Sequence, residues 1–352
     1  MKISKDSILR ENINHYLDIN NININVADML NIAFSYTDIV NAEEALKNRQ
    51  DEEVTIIEAL YEFYQLDKDN KDNQTIMEEY FLDNLRRLEP EEYLNNKYAQ
   101  TIKSTGKYHG YALKMIEYAP YQLFPYDEIK VTSDYKEYSA IGYFNQPFAY
   151  LALTQGNNIW MSLNPNEIET MKPFIKKGRG RVLVLGLGLG YVPFMLALKD
   201  DVESIVVVEK DQDIIDLFDK LLYPSFINKE KIVVIKDDAI NYVKNHQKFD
   251  YIFADLWHNP EDGLDLFIKL KRINLRIDCW LETSLIALLR RCMLTLIEET
   301  INGSKEEDYQ HAKTITDKVI NTYYHKTKNF DIININDLND LLKEKNLLRF
   351  LI

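Results

Sequence analysis

Cysteine is nearly missing from this chain: Cys279 and Cys292 are the only two in 352 residues. Two thiols without metal-type spacing exclude a disulfide framework and a cysteine-built zinc site, and they fit a reduced, cytoplasmic protein. Positive charge is also scarce. Lys and Arg number 42 against 56 Asp and Glu, for a formal net charge of -14. That sign opposes unspecific binding to nucleic acid or to anionic lipid, so neither is expected as a partner. The one basic run, "KKGRGR" (Lys176 to Arg181), reads as a solvated approach to a buried strand. The longest uncharged run, Val182 to Leu198, falls short of the ~20 residues that span a bilayer. It carries three glycines and Pro193, and it reads as strand, turn and helix. The opening "MKISKDSILREN" has no apolar stretch of the kind found in secretion signals.

Hydrophobic residues make up 46% of the chain, enough for an ordinary buried core, and the length suggests roughly two to three domains. The character of the sequence changes along its length. Residues 1–95 read as a helical region, with apolar residues at helical spacing in "EEVTIIEALYEFYQL" and "TIMEEYFLDNLRRL". The charged "DKDNKDNQ" reads as an exposed link between them. Residues 96–172 are crowded with tyrosine and read as a small β-rich domain. Within it, "FAYLALTQGNNIWMSL" predicts a hairpin with "QGNN" as its turn. From about 173 to 302, short apolar runs alternate with helical patterns: "RVLVLGLG", "ESIVVVEKD", "KIVVIKDD" and "FDYIFADLW" as strands, with helices between. Runs this continuous are strands covered on both faces. Alternation with helices makes the fold class α/β, a doubly wound, mostly parallel Rossmann-like sheet. "RIDCWLE" is a candidate fifth strand. "TSLIALLRRCMLTLIEETI" is apolar around most of its circumference, so it predicts a buried helix. Residues 303–352 read as a helical extension, from "EDYQHAKTITDKVINTYY" and "NDLNDLLKEKNLL".

In an open parallel sheet, ligands bind beyond the carboxyl ends of the strands. "GLGLGY" follows the first strand directly. Gly186, Gly188 and Gly190, with Leu187 between them, allow close approach of backbone to ligand. Tyr191 stands where a dinucleotide fingerprint needs its last glycine, which disfavours NAD. Glu209 ends the second strand, where a carboxylate can accept hydrogen bonds from ribose hydroxyls. Asp237 and Asp238 end the third strand. Either can meet an adenine amino group or cap the helix that begins at Ala239. Asp255 ends the fourth strand and could hold an amine. In the loop after it come Leu256, Trp257 and His258. Trp257 could wall a pocket or face a sulfonium charge, and His258 could act as a general base, although loop residues of both types more often simply pack or hydrogen-bond.

This ordered set, from about Asn157 to Arg272, resembles the class I S-adenosylmethionine-dependent methyltransferases, and within them it looks most like the spermidine synthases. The resemblance implies S-adenosylmethionine (or S-adenosylhomocysteine) as cofactor, with the glycines near its methionine part. Glu209 would take the ribose, Lys210 would cover the adenine edge, and Asp238 with Ala239 would read the adenine. Asp255 would match the acid turned toward an attacking amine. The chain departs from that pattern in its extra N-terminal helical region, residues 1–95, and at three motif positions. Leu189 replaces an acid in the turn. "DLWHNP" has His258 or Asn259 at a second acidic place. "NPNEIETM" (Asn164 to Met171) lacks the family's tyrosine and displaces its acid. These departures favour methyl transfer over aminopropyl transfer. The expected partner is a small-molecule substrate, with an amine among the candidates and a homodimer left open. A non-catalytic adenosyl-binding or partner-binding protein is the rival from another class.

Overall fold

The computed structural model describes residues 1–41, 45, 51–246, 248–304 and 313–352. The chain forms two compact units, each assembled from separated segments. One comprises Met1–Ala27, Lys130–Glu137 and Leu256–Ile352; the other comprises Asp28–Ile129 and Tyr138–Asp255.

The N-terminal third is mainly helical, as its periodicity predicts. Helix α1 (Ser7–Phe34) and helix α2 (Glu52–Phe63) lead it. The segment "TIMEEYFLDNLRRL" departs from expectation. Its α-helix ends at Ile76, widens into a π turn over Met77–Phe81, tightens into a 3-10 turn over Leu82–Asn84, and gives way to a strand at Leu85–Arg87. That strand pairs in parallel with Ile141–Tyr143, so a distant pairing overrides the local helical preference.

The tyrosine-rich segment makes an antiparallel sheet. Its strands are β1 (Gly106–Tyr108), β2 (Tyr111–Tyr118), β3 (Phe148–Gln155) and β4 (Asn158–Ser162), in the order β4-β3-β2-β1. The β3–β4 hairpin turns at Gly156, within the predicted "QGNN". Helix α3 (Pro165–Lys177) follows, capped by the Asn164 side chain.

The sheet that organises the site is parallel. Strand β5 (Gly180–Leu185) leads to α4 (Tyr191–Ala197), β6 (Val202–Glu209) to α5 (Gln212–Leu217), and β7 (Ile232–Lys236) to α6 (Ala239–Asn245); β8 (Tyr251–Ala254) is the fourth strand. They lie in the order β7-β6-β5-β8. Val182, Leu183, Val184 and Leu185 are at most 1% exposed, as strands covered on both faces must be. Phe174 of α3 stacks on Phe253 of β8 with ring centroids 4.4 Å apart, sealing one face. The register aligns Leu185 with Val208 and with Ala254, so β5, β6 and β8 finish at one level.

In the other unit, α7 (Pro260–Ile273), α8 (Glu282–Ile301) and α9 (Ile315–Lys326) pack together. Helix α8 is the predicted buried helix: Leu285, Leu289, Met293, Leu296 and Ile297 are fully buried. The segment Lys130–Glu137 is fastened there by polar contacts. Asn23 donates to the Tyr135 carbonyl and accepts from the Glu137 N–H, and Arg291 pairs with the Glu137 carboxylate. Only Asp278–Cys279 of "RIDCWLE" is extended. "NDLNDLLKEKNLL" forms two short helices, Ile335–Leu341 and Glu344–Arg349. The first part of "EDYQHAKTITDKVINTYY" lies outside the described residues. No helix among the described residues is long and apolar enough to cross a membrane.

Candidate active site

The turn after β5 is built by backbone conformation. Gly188 and Gly190 both have positive φ, 56° and 75°. Their surroundings differ. A Cβ on Gly190 would lie 2.6 Å from Phe218 and 2.8 Å from Phe226, whereas one on Gly188 would meet nothing within 4 Å. Gly190 therefore serves the packing, and Gly188 marks the open side of the turn. Four hydrogen bonds hold the bend. Gly186 N–H donates to Val208 O (2.9 Å), Gly190 N–H to Leu187 O (2.9 Å), Leu187 N–H to Glu209 Oε2 (3.2 Å), and the buried Tyr98 hydroxyl to Leu189 O (2.5 Å). The Tyr191 hydroxyl, pushed up to about 12 by burial, accepts a hydrogen bond from Asn96 at 2.8 Å. Its ring packs edge-on against Tyr98.

Glu209 is the clasp of this region. Its Oε1 accepts the N–H groups of Lys210 (2.8 Å) and Asp211 (2.9 Å), while Oε2 accepts that of Leu187. A carboxylate offers about four lone-pair sites, so about one remains, on Oε2. Lys210, Asp237 and Asp238 are exposed, and Ala239 is buried. Strand β7 stops at Lys236, so the two aspartates follow it rather than end it. Asp237 accepts from Asp238 N–H at 2.7 Å. Asp238 caps α6 by accepting from Asn241 N–H at 2.9 Å, one of the two uses its position allows.

Asp255 continues the ladder, donating its N–H to Leu185 O at 2.8 Å. Its half-buried carboxyl is pushed up to about 7, first by burial and then by the charge of Glu209. A second acid shares this environment. Glu167, in the first turn of α3, is raised well above the ordinary carboxylate range by burial and by Asp255. Its N–H donates to the Asn164 side chain at 3.0 Å, and Asn164 in turn donates to the Tyr118 hydroxyl at 3.3 Å. Tyr118 and Tyr150, both nearly buried, stand tilted against each other at 4.7 Å. Glu169, two residues on, pairs instead with Lys172 at 2.6 Å.

Glu167 is absent from the residues expected on sequence. The signal was available: an Asn-Pro followed by Glu three places after the cap marks a helix start, so the acid sits in a fixed first turn. What sequence could not reveal is that this turn faces the end of β8. Thus Gly186, Leu187, Gly188, Glu209 and Asp255 are brought together with Glu167. Leu256, Trp257 and His258 belong to the other unit. There, Trp257 is 6% exposed, lies against Gly263, and has an indole N–H without a partner. His258 is exposed, and its backbone N–H donates to Asp262, whose carboxylate completes the capping box of α7. No group of three or more potential metal ligands occurs among the described residues.

The family model of the spermine/spermidine synthase domain matches residues 166–345, just over half of the 352. The chain belongs to the spermine/spermidine synthase domain family. The matched span covers the parallel sheet, its glycine turn, Glu167 and Asp255. Two solved structures are similar at low level. Spermidine synthase from Thermotoga maritima has 13% identity over 54% of this chain, with a TM-score of 0.31. MNMC2 from Aquifex aeolicus has 17% identity over 72% of this chain and 78% of its own, with a TM-score of 0.27. This family member spans 62% of the length of the Thermotoga protein. No curated protein matches it. Family membership and the β7-β6-β5-β8 order establish the Rossmann-like α/β class.

Proposed function

We propose that this chain alkylates an amine, with an S-adenosyl sulfonium compound as donor. The observation that carries the reading is the pair of acids, Glu167 and Asp255, sharing one environment at the end of the parallel sheet. An amine is an ammonium ion in neutral water and must lose a proton before its lone pair can attack carbon. Acids here attract the ammonium when ionised and accept its proton, and Asp255, raised to about 7, titrates where such a base works best. The residues of the turn fit an adenosyl group. Gly188 presents open backbone, and Glu209 keeps an acceptor for a ribose hydroxyl. Lys210 follows β6, and Asp238 and Ala239 follow β7, so an adenine beyond those strand ends would meet them. When bound, the donor supplies a carbon made electrophilic by its sulfonium. The chain's own contribution is to orient the amine and remove its proton.

Family membership favours an aminopropyl group as the unit transferred. Glu167 supplies an acid from "NPNEIETM", the stretch whose displaced acid counts against that chemistry. Leu189 favours methyl transfer as the second reading: it is 5% exposed and apolar at the turn position where an acid was expected. The test is to incubate the chain with either decarboxylated S-adenosylmethionine or S-adenosylmethionine, together with putrescine and simpler amines, and to weigh the products by mass spectrometry. An aminopropylated amine supports the first reading and a methylated amine the second. Neither product, together with no calorimetric binding of S-adenosylhomocysteine or 5′-methylthioadenosine, sinks the transferase reading.

A further inference from the structure

The turn between β1 and β2 reaches across to the segment that follows Glu209. His109 and Gly110 both have positive φ (44° and 89°), which makes the turn tight and projects its side chains together. Tyr108 donates to Asp216 at 3.1 Å, His109 lies 2.8 Å from Asp213, and Tyr111 donates to Asp211 at 3.4 Å. The first two are surface contacts; the His109 side chain is 61% exposed. Tyr111 is different. It is 6% exposed, and its ring lies edge-on to Trp160.

A distance of 3.4 Å is long for an O–H···O bond, whose usual range ends near 3.0 Å. Asp211 does not depend on it, since it also accepts Asp213 N–H at 2.9 Å. Burial, followed by the charges of Asp211, Asp213 and Glu209, raises the Tyr111 pKa and keeps its hydroxyl a donor. A part-buried O–H with a long hydrogen bond therefore stands beside Asp211, whose N–H binds the Glu209 carboxylate, and that carboxylate has one lone pair to give. A vicinal diol matches this pair: one hydroxyl donates to Glu209 Oε2, and an oxygen of the diol accepts from Tyr111.

We propose that Tyr111 is a donor-site residue that, with Glu209, reads the ribose diol of the adenosyl group. This rests on the adenosyl-donor reading above. It makes Tyr111 a specificity-determining residue contributed by the β-rich segment rather than by the parallel sheet. The experiment is calorimetry on the full chain with 5′-methylthioadenosine and its 2′-deoxy and 3′-deoxy counterparts, using wild type, Tyr111→Phe and, as a surface control, Tyr108→Phe. Tyr111→Phe weakens the ribose ligand about tenfold. It leaves at least one deoxy ligand, the one lacking the hydroxyl in question, bound as by wild type. Tyr108→Phe leaves all three unchanged. Equal weakening of all three ligands by Tyr111→Phe, or no weakening, overturns the role of Tyr111 while the donor reading stands. A wild type that binds none of them overturns both.

Discussion

The carboxyl groups of Glu167 and Asp255, 88 positions apart in sequence, lie in one electrostatic environment at the end of β8, where each is held above the ordinary carboxylate range by burial and neighbouring charge. Two acids so placed resist being ionised together. Their titration is therefore tied both to activity and to stability.

The sign of the pH effect follows from the raised pKa of Asp255. An acid that binds its proton more tightly folded than unfolded favours the fold most below the ordinary aspartate range, and that contribution is lost as pH climbs to about 7. Asp255→Asn should raise the melting temperature at pH 8, by about 2–4 °C for each kcal/mol of relieved repulsion, and change it little near pH 4. The same substitution should lower turnover about a hundredfold or more, because it removes a base. In wild type, the rate should rise with pH through about 7. Calorimetric melting and a pH–rate profile check both halves. A melting point unchanged at both pH values would remove the buried-charge account.

Glu209 serves the backbone as well as any ligand, since its carboxylate accepts three N–H groups. Glu209→Ala should therefore weaken S-adenosylhomocysteine binding about tenfold or more and also lower stability by about 1–3 kcal/mol. Glu209→Gln, which retains one acceptor oxygen, should lose less of each. Titration calorimetry and urea unfolding on the same preparations separate the two effects. An alanine variant that binds like wild type would cancel the ribose assignment.

Gly188 and Gly190 should respond differently to a methyl group. At Gly190 an alanine meets Phe218 and Phe226 within 2.8 Å on top of its positive φ. Overpacking of that kind costs about 1–3 kcal/mol beyond the backbone strain. At Gly188 the methyl has room, so the cost is the strain alone, about 1–2 kcal/mol. The Gly188→Ala variant should stay folded and lose adenosyl affinity, because its methyl occupies the open side of the turn. Unfolding midpoints and dissociation constants for the two variants test the contrast.

Tyr98 holds the bend from outside the parallel sheet. Tyr98→Phe leaves the Leu189 carbonyl without its buried donor and should cost about 1–3 kcal/mol in urea unfolding, with no change in the slope of the transition.

The alternation of apolar runs with helical patterns placed strands β5 to β8 of the parallel sheet, their helices and the glycine turn correctly. Those features are local: a strand buried on both faces must be apolar without interruption, and a tight bend needs positive φ. The site was less legible. Asp238 could cap a helix or meet a ligand, and the cap alone is visible in the fold. Glu167 lies in "NPNEIETM", where the resemblance to a family pattern is loose and points to no particular acid. The helix start that fixes it was written in "NPNE", but nothing in that stretch tells which strand end the helix faces. "LRR" after residue 84 reads as helix and becomes strand because Ile141–Tyr143 lies beside it.

The sequence alone thus determined the fold class, the bend after β5 and the acid at the end of β6, because periodicity and backbone conformation act over a few residues. Only tertiary structure decided that Glu167 shares an environment with Asp255 and that Tyr111 reaches the segment after Glu209. Both relationships depend on how distant segments pack, and strand order and packing are set by the burial of whole faces rather than by any neighbouring residues in the chain.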